Sequence, residues 1–151
     1  MSSEAQTHCR KLDVVTVKGS SVPMPIFTYD TFQKQIFPQL RAPKFSSLSL
    51  EEVLNKQANE YDIVLWDQDP DLVQLRHLST HQFRRTYQQG LENYLNGNWD
   101  EAKEFFSKAD EMMAGSDLNG DGPSRTILKY MKSCNWKCPN DWNGYRPLTS
   151  K

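Results

Sequence analysis

Residues 9–29 read CRKLDVVTVKGSSVPMPIFTY, and this stretch decides the fold of the N-terminal part of the chain. Leu12–Val17 is an apolar run rich in β-branched residues, which predicts a short strand buried on most of both faces. Gly19 can adopt a positive φ where the chain reverses, and the serines after it can bond their own backbone. Lys18–Ser21 therefore predicts a hairpin turn, and Val22–Tyr29 predicts the returning strand.

Two prolines decide how the returning strand can pair. The N–H groups of residues two apart in a strand point to the same side, so Pro23 and Pro25 remove donors from one edge. We therefore expect this strand to lie at the edge of its sheet. A lone hairpin buries too little apolar area to offset the ordering of the chain, so another part must cover it. We expect no partner sheet for the hairpin downstream, although the apolar run Tyr61–Trp66 is either a short strand or an ordered loop.

The strongest helical pattern lies between Thr80 and Met113. Apolar and small residues recur there every three or four positions in two blocks, which predicts two amphipathic helices. Gly97 can supply the left-handed residue that ends the first helix, and Asn98 with Glu101 predicts the start of the second. We therefore expect a helical hairpin. Its periodic residues are Phe83, Tyr87, Gly90, Leu91, Tyr94, Trp99, Ala102, Phe105, Phe106, Ala109 and Met113.

Two further helices are predicted from their start signals. Gly122–Ser124 places a proline in the first turn of a predicted helix. The apolar residues that follow lie on one face of this helix, which can then cap the helical hairpin. Those residues are Ile127, Leu128 and Met131. Upstream, Ser49 and Glu52 form a capping box that predicts a helix from Leu50 to about Asn59.

The combined patterns predict an α+β fold that is mainly α, with an N-terminal β-hairpin followed by a helical hairpin module and a capping helix. We divide the chain into residues 1–30, a connector with short helices at 31–79, and the helical module with its tail at 80–151. The tail from Pro139 onward lacks the period of a helix or strand, although Trp142 and Tyr145 can pin it to the helices.

Composition excludes several function classes. The 18 basic and 19 acidic residues are mixed throughout, so nothing favours binding to nucleic acid or direct contact with an anionic membrane. No apolar segment approaches the roughly 20 residues of a membrane helix, and the N-terminus has no signal core, so we expect a cytoplasmic chain. Cys9, Cys134 and Cys138 form no paired framework, and the last two lack a second pair of zinc ligands.

Three other patterns resemble metal sites only in part. Asp67, Asp69 and Asp71 alternate, but Asp69 before Pro70 is typical of a helix start. His77 and His81 are four residues apart without an accompanying Glu, which favours a polar helix face. The oxygen-rich run 117–122 matches the first half of a calcium loop, whereas the second half does not and an interhelical turn is the simpler explanation.

The hairpin resembles the last two strands of the class III adenylate/guanylate cyclase catalytic domain. That family closes this domain with Cys-Arg-x-Leu/Ile-Asp-x-Val-x-Val-Lys-Gly, a short turn, and Pro-x-x-Ile-Tyr/Phe. The matching residues are Cys9, Arg10, Leu12, Asp13, Val15, Val17, Lys18, Gly19, Pro23, Ile26 and Phe27.

Two later segments carry similar resemblances. The helical hairpin resembles a single tetratricopeptide repeat at Gly90, Tyr94, Gly97, Trp99, Ala102, Phe106 and Ala109. Class III cyclases with such a hairpin after the catalytic domain often have a Gly-Pro-Ser-Arg helix start, here at 122–125, and end in Asp-Trp-x-Gly-x-x-x-Leu-Thr-x-Lys. The tail matches at Asp141, Trp142, Gly144, Leu148, Thr149 and Lys151. The combination resembles the C-terminal end of the large cyclases of unicellular eukaryotes.

The resemblance implies a role in cyclic nucleotide biosynthesis and signal transduction. A class III cyclase joins the 3′-hydroxyl of ATP or GTP to its α-phosphate, using Mg or Mn held by two aspartates. None of the family's catalytic or metal-binding positions lies in this chain, so the resemblance makes residues 1–30 a remnant of a catalytic domain, without a cofactor of its own. The position carried over is Lys18, which in the family reaches the terminal phosphates of the nucleotide. Without the resemblance, Lys18 is a solvated turn residue.

The implied partner is the remainder of the catalytic domain, as a dimer, in a parent that spans a membrane with this part on the cytoplasmic side. The alternative is a small tetratricopeptide-like adaptor without enzymatic activity, whose helical hairpin binds a peptide of another protein. Such units bury their faces on neighbours, so a single copy needs a capping helix. The stretch from Cys9 to Tyr29 favours the cyclase interpretation, because an adaptor has no use for its Val-Lys-Gly turn.

Overall fold

The computed structural model describes residues 9–30, 49–51, 68, 70–114 and 120–148. Its elements are β1 (Arg10–Val17), β2 (Met24–Thr28), α1 (Pro70–Leu75), α2 (His81–Leu95), α3 (Trp99–Met113), α4 (Gly122–Ser133) and β3 (Arg146–Leu148). The fold is α+β and mainly α, as the sequence predicts. Within these ranges, no helix is both long and apolar enough to cross a membrane.

The described residues divide between two compact units. One contains residues 9–29 together with those from 78 onward, so it joins the β-hairpin to the helical module. The other runs from residue 30 to residue 77 and contains α1, which begins at the proline where the sequence predicts it. Residues 50 and 51 are helical, as the capping box predicts, and the remaining residues of the predicted helix lie outside the described ranges.

The sheet of the first unit has the order β2-β1-β3. β2 pairs antiparallel with β1 and lies at the edge, which confirms the prediction from its two prolines. β3 pairs parallel with the other side of β1. The expectations that the hairpin finds no partner strand downstream, and that the tail forms no regular element, were therefore wrong. The run Tyr61–Trp66 lies outside the described residues. A strand of three residues is too short to show a period, and its partner lies at the opposite end of the sequence.

A β-bulge between Lys11 and Asp13 changes which residues of β1 are buried. Side chains alternate between the faces of a strand, and an extra residue resets this alternation. As a result Arg10, Asp13 and Val15 are all buried, whereas Val17 is 39 % exposed. The prediction that Leu12–Val17 is buried on most of both faces was therefore wrong. Only Asp13 and Val15 of that run are buried, and the residues of its other face are half-buried.

The helical hairpin formed by α2 and α3 supplies most of the core. Thr80 caps α2 by accepting a hydrogen bond from Phe83 N at 3.1 Å. Gly97 has a φ of +85° in the turn, and α3 begins directly after Asn98, whose side chain makes no capping bond. All the periodic residues are buried except Phe105, which is half-buried. The packing of α4 against α3 buries Ile127 and Met131, as expected of the capping helix.

The two helices approach closely at Gly90. A Cβ atom on this residue would lie 3.1 Å from Cδ1 of Phe106 and 3.2 Å from Cβ of Phe105. The ring of Phe106 is fully buried, and the Cβ atom of Phe105 is fixed to its backbone. Neither neighbour can move away without disturbing the core.

We expect Gly90→Ala to destabilise the protein although alanine is the better helix former. The overpacking cost of about 1–3 kcal/mol should exceed the gain of about 1 kcal/mol in helix propensity. Gly122→Ala is the control, because nothing lies within 4 Å of a Cβ there. Urea unfolding of the two variants measures the difference. A Gly90→Ala variant as stable as the wild type would contradict the close approach.

Candidate functional site

The turn after β1 presents Lys18, the phosphate-contacting residue that the resemblance implies. Lys18 is exposed, and Gly19 beside it has a φ of +88°. The turn is closed by a hydrogen bond of 3.0 Å from Ser20 N to Val17 O. A lysine here combines a fixed backbone with a flexible stem, so its ammonium can reach an anion in front of the turn.

The strand that leads into this turn is held differently on its two sides. Pairing between β1 and β2 ends at Val15 opposite Met24. Pairing between β1 and β3 covers Val15 to Val17, which lie opposite Arg146 to Leu148. In these two ladders, the last two residues before Lys18 are therefore paired with β3 alone.

A buried ion pair joins the start of β1 to the start of α4. Arg10 donates from Nη1 to Asp121 Oδ2 at 3.1 Å and from Nη2 to Oδ1 at 3.0 Å. The two residues are only 7 % and 4 % exposed. The guanidinium also lies over the rings of Phe83 and Tyr87, 4.7 and 4.3 Å from their centroids. Both oxygens of the Asp121 carboxylate thus accept a hydrogen bond from the same guanidinium. The two aromatic rings cover the face of that cation.

Asp121 is also the N-cap residue of α4. Its Oδ2 accepts from the backbone N of Ser124 at 2.9 Å and from the hydroxyl of Ser124 at 2.6 Å. Its own N–H donates to Asp110 at 2.7 Å. The negative charge also complements the positive end of the helix dipole. The same carboxylate therefore starts a helix and neutralises Arg10.

A second, partly buried ion pair joins β1 to β3. Arg146 donates from Nε and Nη2 to Asp13 Oδ2, at 3.1 and 2.9 Å. The other carboxylate oxygen of Asp13 accepts from the N–H of Val14 at 2.8 Å. The guanidinium of Arg146 lies 5.3 Å from the ring centroid of Tyr130 on α4. Burial raises the pKa of Asp13, and the charge of Arg146 opposes this shift only in part.

An aromatic cluster anchors the tail to the helices. Trp142 donates from its indole nitrogen to Leu95 O at 3.1 Å, which confirms that it pins the tail. Its ring lies 5.0 Å from that of Tyr94, measured between centroids, and 5.3 Å from that of Trp99. Gly144 then passes so close to α2 that a Cβ atom would lie 3.1 Å from Leu95 O. These contacts bring the chain back to β1.

A cavity of about 560 Å³ lies between the β-hairpin and α2. Apolar and aromatic side chains line part of it and charged groups line the rest. This volume is in the range of small-ligand pockets. The lining residues are Cys9, Arg10, Lys11, Phe27, Arg84, Tyr87, Gln88, Leu91, Glu92 and Leu95.

The remaining ligand patterns do not assemble into a site among the described residues. No three His, Cys, Asp or Glu side chains come together there as a metal would require. α1 ends at Leu75 and α2 begins at His81, so His77 and His81 are not one turn apart on a continuous helix. Burial raises the pKa of Cys138, which disfavours its reactive thiolate. Asp67, Asp69 and the first half of the calcium-like run lie outside the described residues.

Comparisons of the chain with protein-family models, with curated proteins and with solved structures found no match. Sequence reasoning had named Lys18 but missed the partners of Arg10 and Asp13. The available signal was that a charged residue in a buried strand needs a partner. That signal does not identify the partner, which lies far away along the chain in both cases.

We expect Asp121→Ala to destabilise the unit by about 3–5 kcal/mol, because it leaves the buried Arg10 without its counter-charge. Arg125→Ala is the matched control. Arg125 also forms an ion pair on α4, with Asp110, but its side chain is 49 % exposed. Exposed pairs contribute about 1 kcal/mol or less. Urea unfolding should separate the two variants clearly, and equal losses would argue against the buried pair as the link between β1 and α4.

We expect the stability contributed by Asp13 to fall as the pH rises. Burial raises the pKa of its carboxyl above the ordinary value of about 3.9, so the folded state keeps the proton to higher pH than the unfolded state. The free energy of unfolding of the wild type, minus that of Asp13→Asn, should decrease from about pH 4 upward through the raised folded value. Urea titrations at a series of pH values measure this. A difference that grows with pH would mean that attraction to Arg146 outweighs burial.

Proposed function

We propose that this chain is the C-terminal end of a class III nucleotide cyclase. In this proposal residues 1–30 close the catalytic domain, and residues 80–151 form a tetratricopeptide-like module attached to it. The rest of the catalytic domain is the partner, as a dimer. It supplies the residues that hold Mg or Mn and that act on ATP or GTP, while this chain supplies Lys18.

One observation carries the proposal, namely that the three segments with cyclase resemblance are in contact with one another. Arg10 and Asp13 belong to the hairpin motif. Their partners are Asp121, which directly precedes the Gly-Pro-Ser-Arg helix start, and Arg146, which lies within the tail motif. Asp121 and Arg146 are not themselves matched positions, but one borders and the other lies within a matched segment. The hairpin, the helix start and the tail are therefore neighbours in one unit, and this proximity supports the proposal that they belong together.

The geometry of the Lys18 turn is consistent with this role. A phosphate contact requires a cation that reaches outward from a defined backbone, and Lys18 is exposed on a turn closed by a hydrogen bond. Among the described residues, no Asp or Glu forms an ion pair with Lys18. The ammonium can therefore act as a point charge towards the terminal phosphates of a nucleotide.

We expect Lys18→Ala to raise the KM for the nucleoside triphosphate on the order of tenfold when the chain is joined to its catalytic domain. This factor corresponds to one charge-assisted hydrogen bond. Lys108→Ala, at an exposed lysine on α3, is the control and should leave the kinetics unchanged. The isolated 151-residue chain with Mn²⁺ should form no cyclic nucleotide. Unchanged kinetics in Lys18→Ala would refute the role assigned to Lys18. Cyclisation by the isolated chain would refute the proposal that the rest of the catalytic domain supplies the catalytic residues.

The cavity between the hairpin and α2 favours a second candidate function, a peptide-binding adaptor. A groove with apolar side chains and charged groups can hold the side chains of a partner peptide. An adaptor would depend on this cavity and not on the Lys18 turn. Lys18→Ala would then leave binding of the partner protein intact, whereas substitution of exposed cavity residues such as Gln88 and Glu92 would weaken it.

A further inference from the structure

We propose that β3 is a strap that sets the position of Lys18, with Arg146 as the positioning residue. The strap is the segment Arg146–Leu148. This inference rests on the proposed role of Lys18 in contacting nucleotide phosphates. It adds a route by which the helical module controls that contact.

The first argument is the extent of the two ladders. β2 pairs with β1 only as far as Val15, so it does not reach the residues that carry the turn. β3 pairs with β1 up to Val17, directly before Lys18. The backbone from which the Lys18 side chain projects is therefore aligned by the strap.

The second argument is how the strap is held. Val17 and Leu148 lie opposite each other, and each is 39 % exposed, so little apolar area holds this end of the strap. Arg146 is the anchor instead, because both of its hydrogen bonds go to the buried carboxylate of Asp13. Segments with few buried contacts open more readily than the core. Loss of the Arg146 anchor should therefore release the strap while the helices stay folded.

The third argument is the connection of the strap to the helices. The guanidinium of Arg146 lies over the ring of Tyr130 on α4. The chain just before the strap is held to α2 through the hydrogen bond from Trp142 to Leu95. A displacement of α2 or α4 is thus passed to the strap and from the strap to the end of β1. Ligands or partners of the helical module can change the nucleotide affinity in this way.

Amide hydrogen exchange on the 151-residue chain tests the strap itself. Arg146→Gln should accelerate exchange of the amides of residues 16–18 on the order of tenfold, while the amides of α2 and α3 keep their protection. Arg125→Gln is the control, because it removes an arginine ion pair that does not involve β1. Unchanged exchange at residues 16–18 would overturn the inference. Equal acceleration in the helices would do so as well, since the strap would then not be a separate element.

Kinetics of the complete cyclase test whether the strap acts through Lys18. Arg146→Gln should raise the nucleotide KM, and the double variant with Lys18→Ala should show no more than the effect of Lys18→Ala alone. Arg125→Gln should behave as the wild type. If Lys18→Ala raises the KM but Arg146→Gln does not, or if the two effects multiply, the strap inference fails and the proposed function stands. If Lys18→Ala itself has no effect, the proposed function fails.

Discussion

The fold of the first unit depends on the buried ion pair between Arg10 and Asp121. A two-stranded hairpin is marginal by itself, so it must be attached to a larger core. The bulge near Leu12 places Arg10 among the buried side chains of β1, and the aromatic rings of α2 cover its guanidinium. Tyr87 adds a hydrogen bond of 2.8 Å from its hydroxyl to Leu12 O. The hairpin is thereby fixed to the helices by directional contacts as well as by apolar area.

Directional contacts of this kind determine geometry more than they add stability. Burying two charges costs desolvation energy that their attraction offsets only when every polar atom is satisfied. Asp121 meets this condition through Arg10 and Ser124. Asp13 meets it through Val14 and Arg146, although burial still raises the pKa of its carboxyl. The first pair attaches β1 to α4, and the second attaches it to β3.

The parts that sequence predicted are those governed by local rules. Helical periodicity identified the core of α2 and α3, Gly97 identified the turn between them, and two prolines identified the edge strand. β3 and both ion-pair partners were missed, because each depends on residues at the far end of the chain. The bulge was missed although it lies within the hairpin itself. Lys18 belongs to a third category. Its spacing shows only a turn lysine, and its role as a candidate comes from resemblance to a family.

The two ion pairs act at different distances from the candidate site. A strand rises about 3.3 Å per residue, so Arg10 lies roughly 26 Å from Lys18 along β1. At that distance salt screens its charge from a nucleotide, since the Debye length is about 8 Å under physiological conditions. Arg146, by contrast, pairs with Val15, three residues before Lys18. Arg10 thus orients β1 on the helices, whereas the C-terminal strand connects the helical module to the residues directly before Lys18.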